Sequence, residues 1–451
     1  MKFSRLCIVL TIPFLVTACA TVNPQKDFDA VALSSKKKTG YPVTWQQTPK
    51  EEEQTKLAVK ELLNNGISQD EAIRIALINN QDLQAKFEFL GIARADIIQA
   101  GLYSNPSVGA LFEFPVKGSF GVGPDLDLLF SLSDLWNVPL RRKIAMFDGQ
   151  KVTLQVIQEI LNTAAAARNA FNEVLFQKEL IVFTRKNIQL LQKTLEKTKV
   201  YYESGFFRDM DLYLAESFLY EEKLALAKAE ADLNNARAEL MRQLGLDPLA
   251  PDITPRGELE ETQPVDLTPA KAWNFAYDNR LDLKISRFQI EQSKWVLKLQ
   301  KARIYGDVNL GGNYTRELDN LKTFGPLLSF QIPVFDQNQG GIARAQYQLH
   351  QAEKILAANE TAAKEEIRRL ISELKVQHHK ATLLRDKILI LDKKSEEYAE
   401  KYFNAMQLNA FFLIEARRRV FNTYRGYLQA RRDYRRIKSK LKLALGGTLP
   451  D

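Results

Sequence analysis

The chain repeats itself at an offset close to half its length. Ile67-Ser68-Gln69-Asp70-Glu71-Ala72, followed by Asn79, Asp82 and Leu83, matches Leu267-Thr268-Pro269-Ala270-Lys271-Ala272, Asn279, Asp282 and Leu283, 200 positions on. Farther along, Leu212, Ala215, Leu240, Leu244 and Gly245 match Leu413, Ala416, Leu441, Leu445 and Gly446, now 201 apart. A duplication on this scale predicts one elongated unit of two equal halves, although 451 residues would allow two or three separate domains. The fold expected is mainly α with a small β part, a duplicated helix–strand–strand–helix unit.

The helices follow a seven-residue seam. Residues 141–202 contain no proline and only one glycine, Gly149. Val156, Ile160, Thr163, Ala167, Ala170, Val174, Gln177, Ile181, Thr184, Ile188, Leu191, Leu195, Thr198 and Tyr202 recur at alternating gaps of four and three, the period of a left-handed coiled coil. In the second half, Leu370, Leu374, Gln377, Ala381, Leu384, Ile388, Leu391, Ser395, Tyr398 and Tyr402 continue the same register at an offset of 200. A shorter returning helix follows in each half, and its apolar positions read as mutual helix packing. The reversals fall at 203–209 and 404–409. Gly205 supplies the positive φ that such a turn needs; Met406 takes the matching place, which predicts a second turn of different build. Gly205, Phe206, Phe207, Met406 and Leu408 at these tips form either a contact surface for a partner or a local cap on each hairpin.

Between the helices the period becomes two. Val108, Ala110, Phe112 and Phe114 share one face, as do Leu126, Leu128, Phe130 and Leu132, then Val308, Leu310, Gly312 and Tyr314, then Leu328, Phe330, Ile332 and Val334. Short strands with one apolar face suit a transmembrane barrel or a soluble sandwich. In lipid, four strands cannot close, and an open edge is untenable, so several chains would have to share one barrel. Three copies would give twelve strands.

The amino terminus reads as an export signal: Lys2 and Arg5, then the apolar stretch Leu6 to Val16, ending Val16-Thr17-Ala18-Cys19. That ending resembles the bacterial lipoprotein cleavage box, which implies acylation of Cys19 after removal of residues 1–18. Ala20 stands where lipoproteins kept in the inner membrane have Asp, which points to the outer membrane. Cys7 would leave with the signal, so no internal disulfide is expected. One lipid chain binds membranes reversibly, so a second anchor is expected. Loss of Lys2 and Arg5 lowers the net charge from +8 to +6, too little to suggest nucleic acid. No later apolar run approaches the ~20 residues of a spanning helix. Residues 19–66 read as an acylated tether and lead-in, with Lys36-Lys37-Lys38, Pro42 and Pro49 suggesting extended chain. Repeat one covers 67–250, with strands about 104–116 and 125–139; repeat two covers 251–451, with strands about 305–317 and 326–335.

With these elements in place the chain resembles the outer-membrane efflux protein family, the TolC-like trimeric ducts. The resemblance rests on Ala72, Ala76, Asn79-Asn80 and Asp82-Leu83 at the start of one repeat, and on Arg280-Leu281-Asp282-Leu283 in the other. It rests also on the strand exit Ser329-Phe330-Gln331-Ile332-Pro333-Val334-Phe335-Asp336 leading through Gly340-Gly341-Ile342-Ala343-Arg344-Ala345, with Val138-Pro139-Leu140-Arg141 as its shorter equivalent. It implies a lipid-anchored homotrimer with a shared twelve-stranded barrel in the outer membrane and a helical tunnel in the periplasm. The duct would accept substrate from an inner-membrane pump, RND-type or ABC-type, through a periplasmic adaptor, and would catalyse nothing. The family narrows its tunnel near the second tip. Phe412-Leu413-Ile414-Glu415-Ala416 is the matching stretch, with Phe412 and Glu415 as constriction candidates. Glu415 either faces the axis or pairs with a nearby arginine. Phe335-Asp336-Gln337-Asn338-Gln339-Gly340 resembles members that serve heavy-metal resistance pumps.

No nucleophile–base pair, phosphate loop or metal cluster emerges from the sequence, and neither an enzymatic role nor a cofactor is expected. Gly118, Gly121 and Gly123 read as an external hairpin loop. His350, His378 and His379 lack convergent zinc spacing. From Arg417 to Lys442 there are eleven basic residues against Asp433 alone; this run faces neighbouring carboxylates, the tunnel lumen or an adaptor, and the expectation is that part of it lines or rims the conduit and biases permeation toward anions. The leading function is the outer-membrane channel of a tripartite efflux system for small molecules or metal ions. The alternatives are the duct of a type I protein-secretion system and a periplasmic coiled-coil scaffold.

Overall fold

The computed structural model describes residues 22–450 except 65, 115, 118–121, 248–252 and 318–320. Cys19, the export signal, Gly118 and Gly121 lie outside the described residues. Two lead-in helices, α1 (Gln25–Thr39) and α2 (Pro49–Leu63), come first. One repeat then runs α3 (Gln69–Asn79), α4 (Gln81–Ala100), β1 (Ser107–Glu113), β2 (Gly123–Ser131), α5 (Asp134–Glu203) and α6 (Asp209–Leu244). The other runs α7 (Pro269–Asn279), α8 (Leu281–Ala302), β3 (Val308–Arg316), β4 (Lys322–Phe330), α9 (Gln339–Leu383), a π turn (Leu384–Ile388), α10 (Leu389–Asn404) and α11 (Ala410–Ala444). Contacts divide the chain into two units. One holds the residues to Asp27, Phe89–Val152 and Gln289–His350; the other holds Phe28–Glu88, Thr153–Phe288 and Gln351–Asp451.

The lead-in, expected from the sequence to be extended, is extended only around Pro42, between two helices. Pro49 occupies the first position of α2, where a missing N–H costs nothing, and Thr48 with Glu51 closes a capping box around it. Lys36, Lys37 and Lys38 lie in the last turn of α1, where cations favour the negative end of the helix dipole. These residues are helix boundary signals. The same chemistry starts each repeat: Ser68 accepts from the Glu71 amide, and Thr268 from the Lys271 amide.

In the first unit the four strands form one antiparallel sheet in the order β1-β2-β3-β4. The register sets Val108, Leu128, Gly312 and Pro326 in one row, and Ala110, Leu126, Tyr314 and Phe324 in the next. Phe130, Leu310 and Leu328 continue the same face. Its large side chains other than Tyr314 are exposed; Phe324 is 81% so. The opposite face carries Leu111, Leu129 and Leu327 together with a polar cluster, in which Asn313 donates to Asp127 at 2.8 Å and the Thr315 hydroxyl donates to Asp125 at 2.9 Å. The strand ends differ from those read in the sequence. β2 stops at Ser131 rather than near 139, because the Leu132 and Ser133 amides turn onto the Val308 carbonyl and Asp134 opens α5. Pro139 lies inside that helix. β4 spans 322–330 rather than 326–335, because its length is set by β3, whose Arg316 and Val308 pair Lys322 and Phe330. Ile332 and Val334 therefore lie beyond the sheet.

In the second unit the duplication is visible as packing. Ile67, Ala72, Ala76, Ala167, Ala170, Phe171, Val174, Leu240 and Leu244 form one core. Leu267, Ala272, Ala276, Ile367, Leu370, Ile371, Leu374, Leu441 and Leu445 form its counterpart. The volumes are redistributed: Ala167 and Ala170 become Ile367 and Leu370, while Phe171 becomes the smaller Ile371. Gly245 (φ +67) and Gly446 (φ +89) end α6 and α11, and a Cβ on either would lie 2.4 Å from the carbonyl oxygen of Asn79 or Asn279. Asn80 donates to the Gln243 carbonyl at 2.9 Å; at the matching place Arg280 donates to that of Ala444 at 3.0 Å.

The heptad seam holds along α5, where Val156, Ile160, Val174, Ile181, Ile188, Leu191, Leu195 and Thr198 are all buried. In the second half it holds only to Ala381. Beyond the π turn the expected Leu391, Ser395, Tyr398 and Tyr402 are exposed, and Leu389, Ala399 and Phe403 point inward. A π turn holds one residue more than an α turn, so it advances the seam by one position. It also accounts for the change of repeat offset from 200 to 201.

Candidate functional site: helix tips and the basic helix

The two tips are built alike, against the expectation for the second. Gly205 donates to the Tyr202 carbonyl and Phe206 to that of Tyr201; Met406 donates to Phe403 and Gln407 to Tyr402, each 201 positions on. Both central residues are left-handed, Gly205 at φ +76 and Met406 at φ +58. Hydrogen bonding imposes the conformation even on a side chain that disfavours it. Met406→Gly is therefore expected to raise stability by about 1 kcal/mol, and Gly205→Ala to lower it by about as much, in urea unfolding followed by helical circular dichroism.

The tip aromatics differ in burial. Phe207 is half-buried in a cluster with Tyr201 (ring centroids 5.3 Å apart) and Phe403 (5.8 Å) and caps the hairpin. Phe206 is 64% exposed and Met406 48% exposed; Leu408 is half-buried. Farther along α11, Leu413 and Ile414 are buried. Phe412 is 53% exposed, edge-on to Phe411. Glu415 contacts Arg418 at 2.8 Å and Arg419 at 3.7 Å on its own helix. Its carboxylate charge is thus largely compensated within one helix.

The basic run on α11 faces carboxylates, so the arginines with ion pairs are not free to bias permeation toward anions. Arg417 contacts Glu396 and Glu400; Arg431 contacts Glu179 at 3.2 Å and Glu261 at 3.6 Å; Arg432 contacts Glu173; Arg435 contacts Glu260. Tyr424 and Tyr427 join this network through Glu179 and Glu261. Burial, then the Glu261 hydrogen bond, pushes the Tyr427 hydroxyl up to about 12. Burial and the Glu179 charge raise that of Tyr424 as well. These hydroxyls stay protonated as donors at neutral pH. The network ties α5, the 253–268 linker and α11 together, and these links cross 166 or more sequence positions, which hides them from local pattern reading. Among the described residues no cluster of His, Cys, Asp or Glu is arranged to hold a metal ion.

Comparison with solved structures decides the fold. CusC superposes with a TM-score of 0.73 at 14% identity, over 84% of this chain and 92% of that one. The chain has the TolC-like outer-membrane channel fold. The outer-membrane channel OprN aligns at a TM-score of 0.72 and 16% identity over 84% and 90% of the two chains. The MtrE outer membrane channel of Neisseria gonorrhoeae, in its open state, gives 0.70 and 16% over 84% and 89%. In sequence, the chain is 21% identical to the cobalt-zinc-cadmium resistance protein CzcC of Cupriavidus metallidurans over 370 residues, 79% of this chain and 84% of that protein. No family model matches the chain. Asn338, in the stretch that resembles metal-resistance members, has a structural job in this channel fold. It sits at φ +56 and donates to the Gln300 carbonyl at 2.7 Å, fixing the start of α9.

Proposed function

We propose that this protein is the outer-membrane channel of a tripartite efflux system, passively conducting small molecules or metal ions that an inner-membrane pump delivers through a periplasmic adaptor. The observation that carries the reading is the sheet. One face presents Phe112, Leu128, Leu328 and Phe330 to the surroundings, and β1 and β4 have no outer strand partner among the described residues. Such a sheet needs an apolar medium on one side and further strands at both edges. Three copies supply both by closing twelve strands in lipid, with Asp125, Asp127, Asn313 and Thr315 lining the aqueous side. In this reading the barrel is the part that crosses the membrane. Acylated Cys19 adds a second anchor, and the helical part stands in the periplasm.

Phe206 and Met406 serve as contacts for the adaptor, because they are exposed side chains on tightly hydrogen-bonded tips. Phe412 and Glu415 narrow the conduit. The CzcC likeness supports metal ions as cargo and favours efflux over a protein-secretion duct; the related chains are channels, and a catalytic role has no support. A deletion strain is expected to become sensitive to cobalt, zinc or cadmium and to be rescued by the wild-type gene. Leu328→Arg, which costs about 2–4 kcal/mol in the lipid layer, should abolish both rescue and recovery of the trimer from outer membranes. Full rescue by a soluble Leu328→Arg monomer would overturn the reading.

A further inference from the structure

The basic residues of α11 divide into two groups. Arg417, Arg418, Arg419, Arg431, Arg432 and Arg435 meet carboxylates, whereas Lys438 and Lys442, nearer the end, do not. They line a cleft of about 310 Å³ together with Lys38 from the last turn of α1 and Arg168 from α5, and among the described residues none that lines it carries a carboxylate. Arg168, Lys438, Ser439 and Lys442 also line an adjoining cleft of about 150 Å³. Glu260 and Glu261 border that second cleft, but they are engaged by Arg435, Arg431, Arg385 and Tyr427. Asp70, whose charge reaches Arg168, accepts from the Tyr41 hydroxyl at 2.6 Å. The Lys38 ammonium donates to the Gly446 carbonyl at 2.5 Å.

Two neutral groups point to an anion. The Ser439 hydroxyl and the Asn172 amide nitrogen line the adjoining cleft, are buried (3% and 5% exposed), and have no hydrogen-bond partner. A buried donor without an acceptor is rare and costly. Four cations around a cleft repel one another, and burial strengthens that repulsion. Consistent with this, burial and like-charged neighbours depress the ammonium groups of Lys442, beside Arg168 and Lys438, and of Lys38, beside Lys284 and Lys37. A compact group rich in acceptor oxygens would offset the cations and give the Ser439 hydroxyl, which lines both clefts, an acceptor.

We propose that the cleft formed by Lys38, Arg168, Lys438, Ser439 and Lys442, with Asn172 in the adjoining cleft, binds a phosphate-type oxyanion. The anion bridges α1, α5 and α11, and fastens the lead-in helix to the end of the last repeat helix. Because the site is held within one chain, it stands independently of the transport reading.

The test uses the full-length protein in a non-ionic detergent at constant ionic strength. Inorganic phosphate at about 10 mM is expected to raise the thermal midpoint by at least about 2 °C over chloride, and sulfate to compete. Lys442→Met should abolish this response while leaving the phosphate-free midpoint unchanged or higher, since a repulsive charge has gone. Lys440→Met, exposed on the same helix, should keep the response. Equilibrium dialysis with radiolabelled phosphate reads binding directly, so a variant of poor stability does not spoil the test. Phosphatidylglycerol added to the micelles forms a separate arm: a response to it but not to inorganic phosphate assigns the oxyanion to a lipid headgroup. Equal responses to phosphate and chloride, or an undiminished response in both Lys442→Met and Arg168→Met, would overturn the proposal.

Discussion

Removing Asp386 should leave a folded, functional protein, whereas removing Lys186, 200 positions earlier, should prevent the first long hairpin from forming. Both residues are exposed and both lie in long helices. Asp386 lies in the π turn, whose extra residue separates two seams already in phase with their surroundings. Its deletion converts the turn to regular α-helix and leaves Ala381 on one side and Leu389, Ala399 and Phe403 on the other pointing inward. The loss is confined to the exposed contact with Arg385, which water screens. Around Lys186 the helix is already regular. Deletion there rotates the downstream seam by about 100°, carrying Ile188, Leu191, Leu195 and Thr198 away from α6 and α10. Exposing three large side chains costs upwards of about 5 kcal/mol. Limited proteolysis and the helical circular dichroism of the two purified variants separate the outcomes. Equal damage from the two deletions would mean that the π turn is not the site of the inserted residue.

The same turn illustrates what the sequence reveals and what it conceals. The seam of α5 and the apolar sheet face were legible because each repeats one residue class at a fixed period over many turns. Offsets of 200 and 201 were also legible, but a one-residue change in offset does not say where the residue is absorbed. Only burial on either side of Leu384–Ile388 locates it. Strand ends were misplaced for a different reason: alternation continues through Leu132 and through Ile332 and Val334, yet pairing stops where the partner strand stops. The tip at Met406 was misread because residue preference was weighed against a hydrogen-bond pattern that three-dimensional context enforces. At the constriction candidates, the sequence named Glu415 but left its partner open between the axis and an arginine. The structure supplies Arg418 and Arg419 from the next turn of its own helix.

Arg417→Met is expected to cost about 3 kcal/mol, while its counterpart Glu216→Ala costs under about 1 kcal/mol. The two positions are 201 apart and make the same contact with opposite charges: Glu216 with Lys199 at 3.5 Å, and Arg417 with Glu400 at 3.3 Å. Their surroundings differ. The Lys199 and Glu216 side chains are 50% and 36% exposed, so water screens the pair. Arg417 is 3% exposed, and it also approaches Glu396 at 3.4 Å and donates to the Leu190 carbonyl at 2.7 Å and to the Thr194 hydroxyl. Truncating it leaves Glu396, itself mostly covered, without a counter-charge and opens a gap between α5, α10 and α11. Glu400, nearly half exposed, recovers much of its hydration, which keeps the cost toward the lower end for a buried pair. Urea midpoints of the two variants, with protease susceptibility of the α10–α11 hairpin as a local readout, provide the measurement. Similar small losses in both would mean that burial does not distinguish the two contacts. A large loss confined to Arg417→Met would locate the stability of the second hairpin in this one buried guanidinium. Charge reversal, Arg417→Glu with Glu400→Arg, reproduces the polarity of the first repeat but removes the donor to Leu190. It should therefore recover only part of the loss.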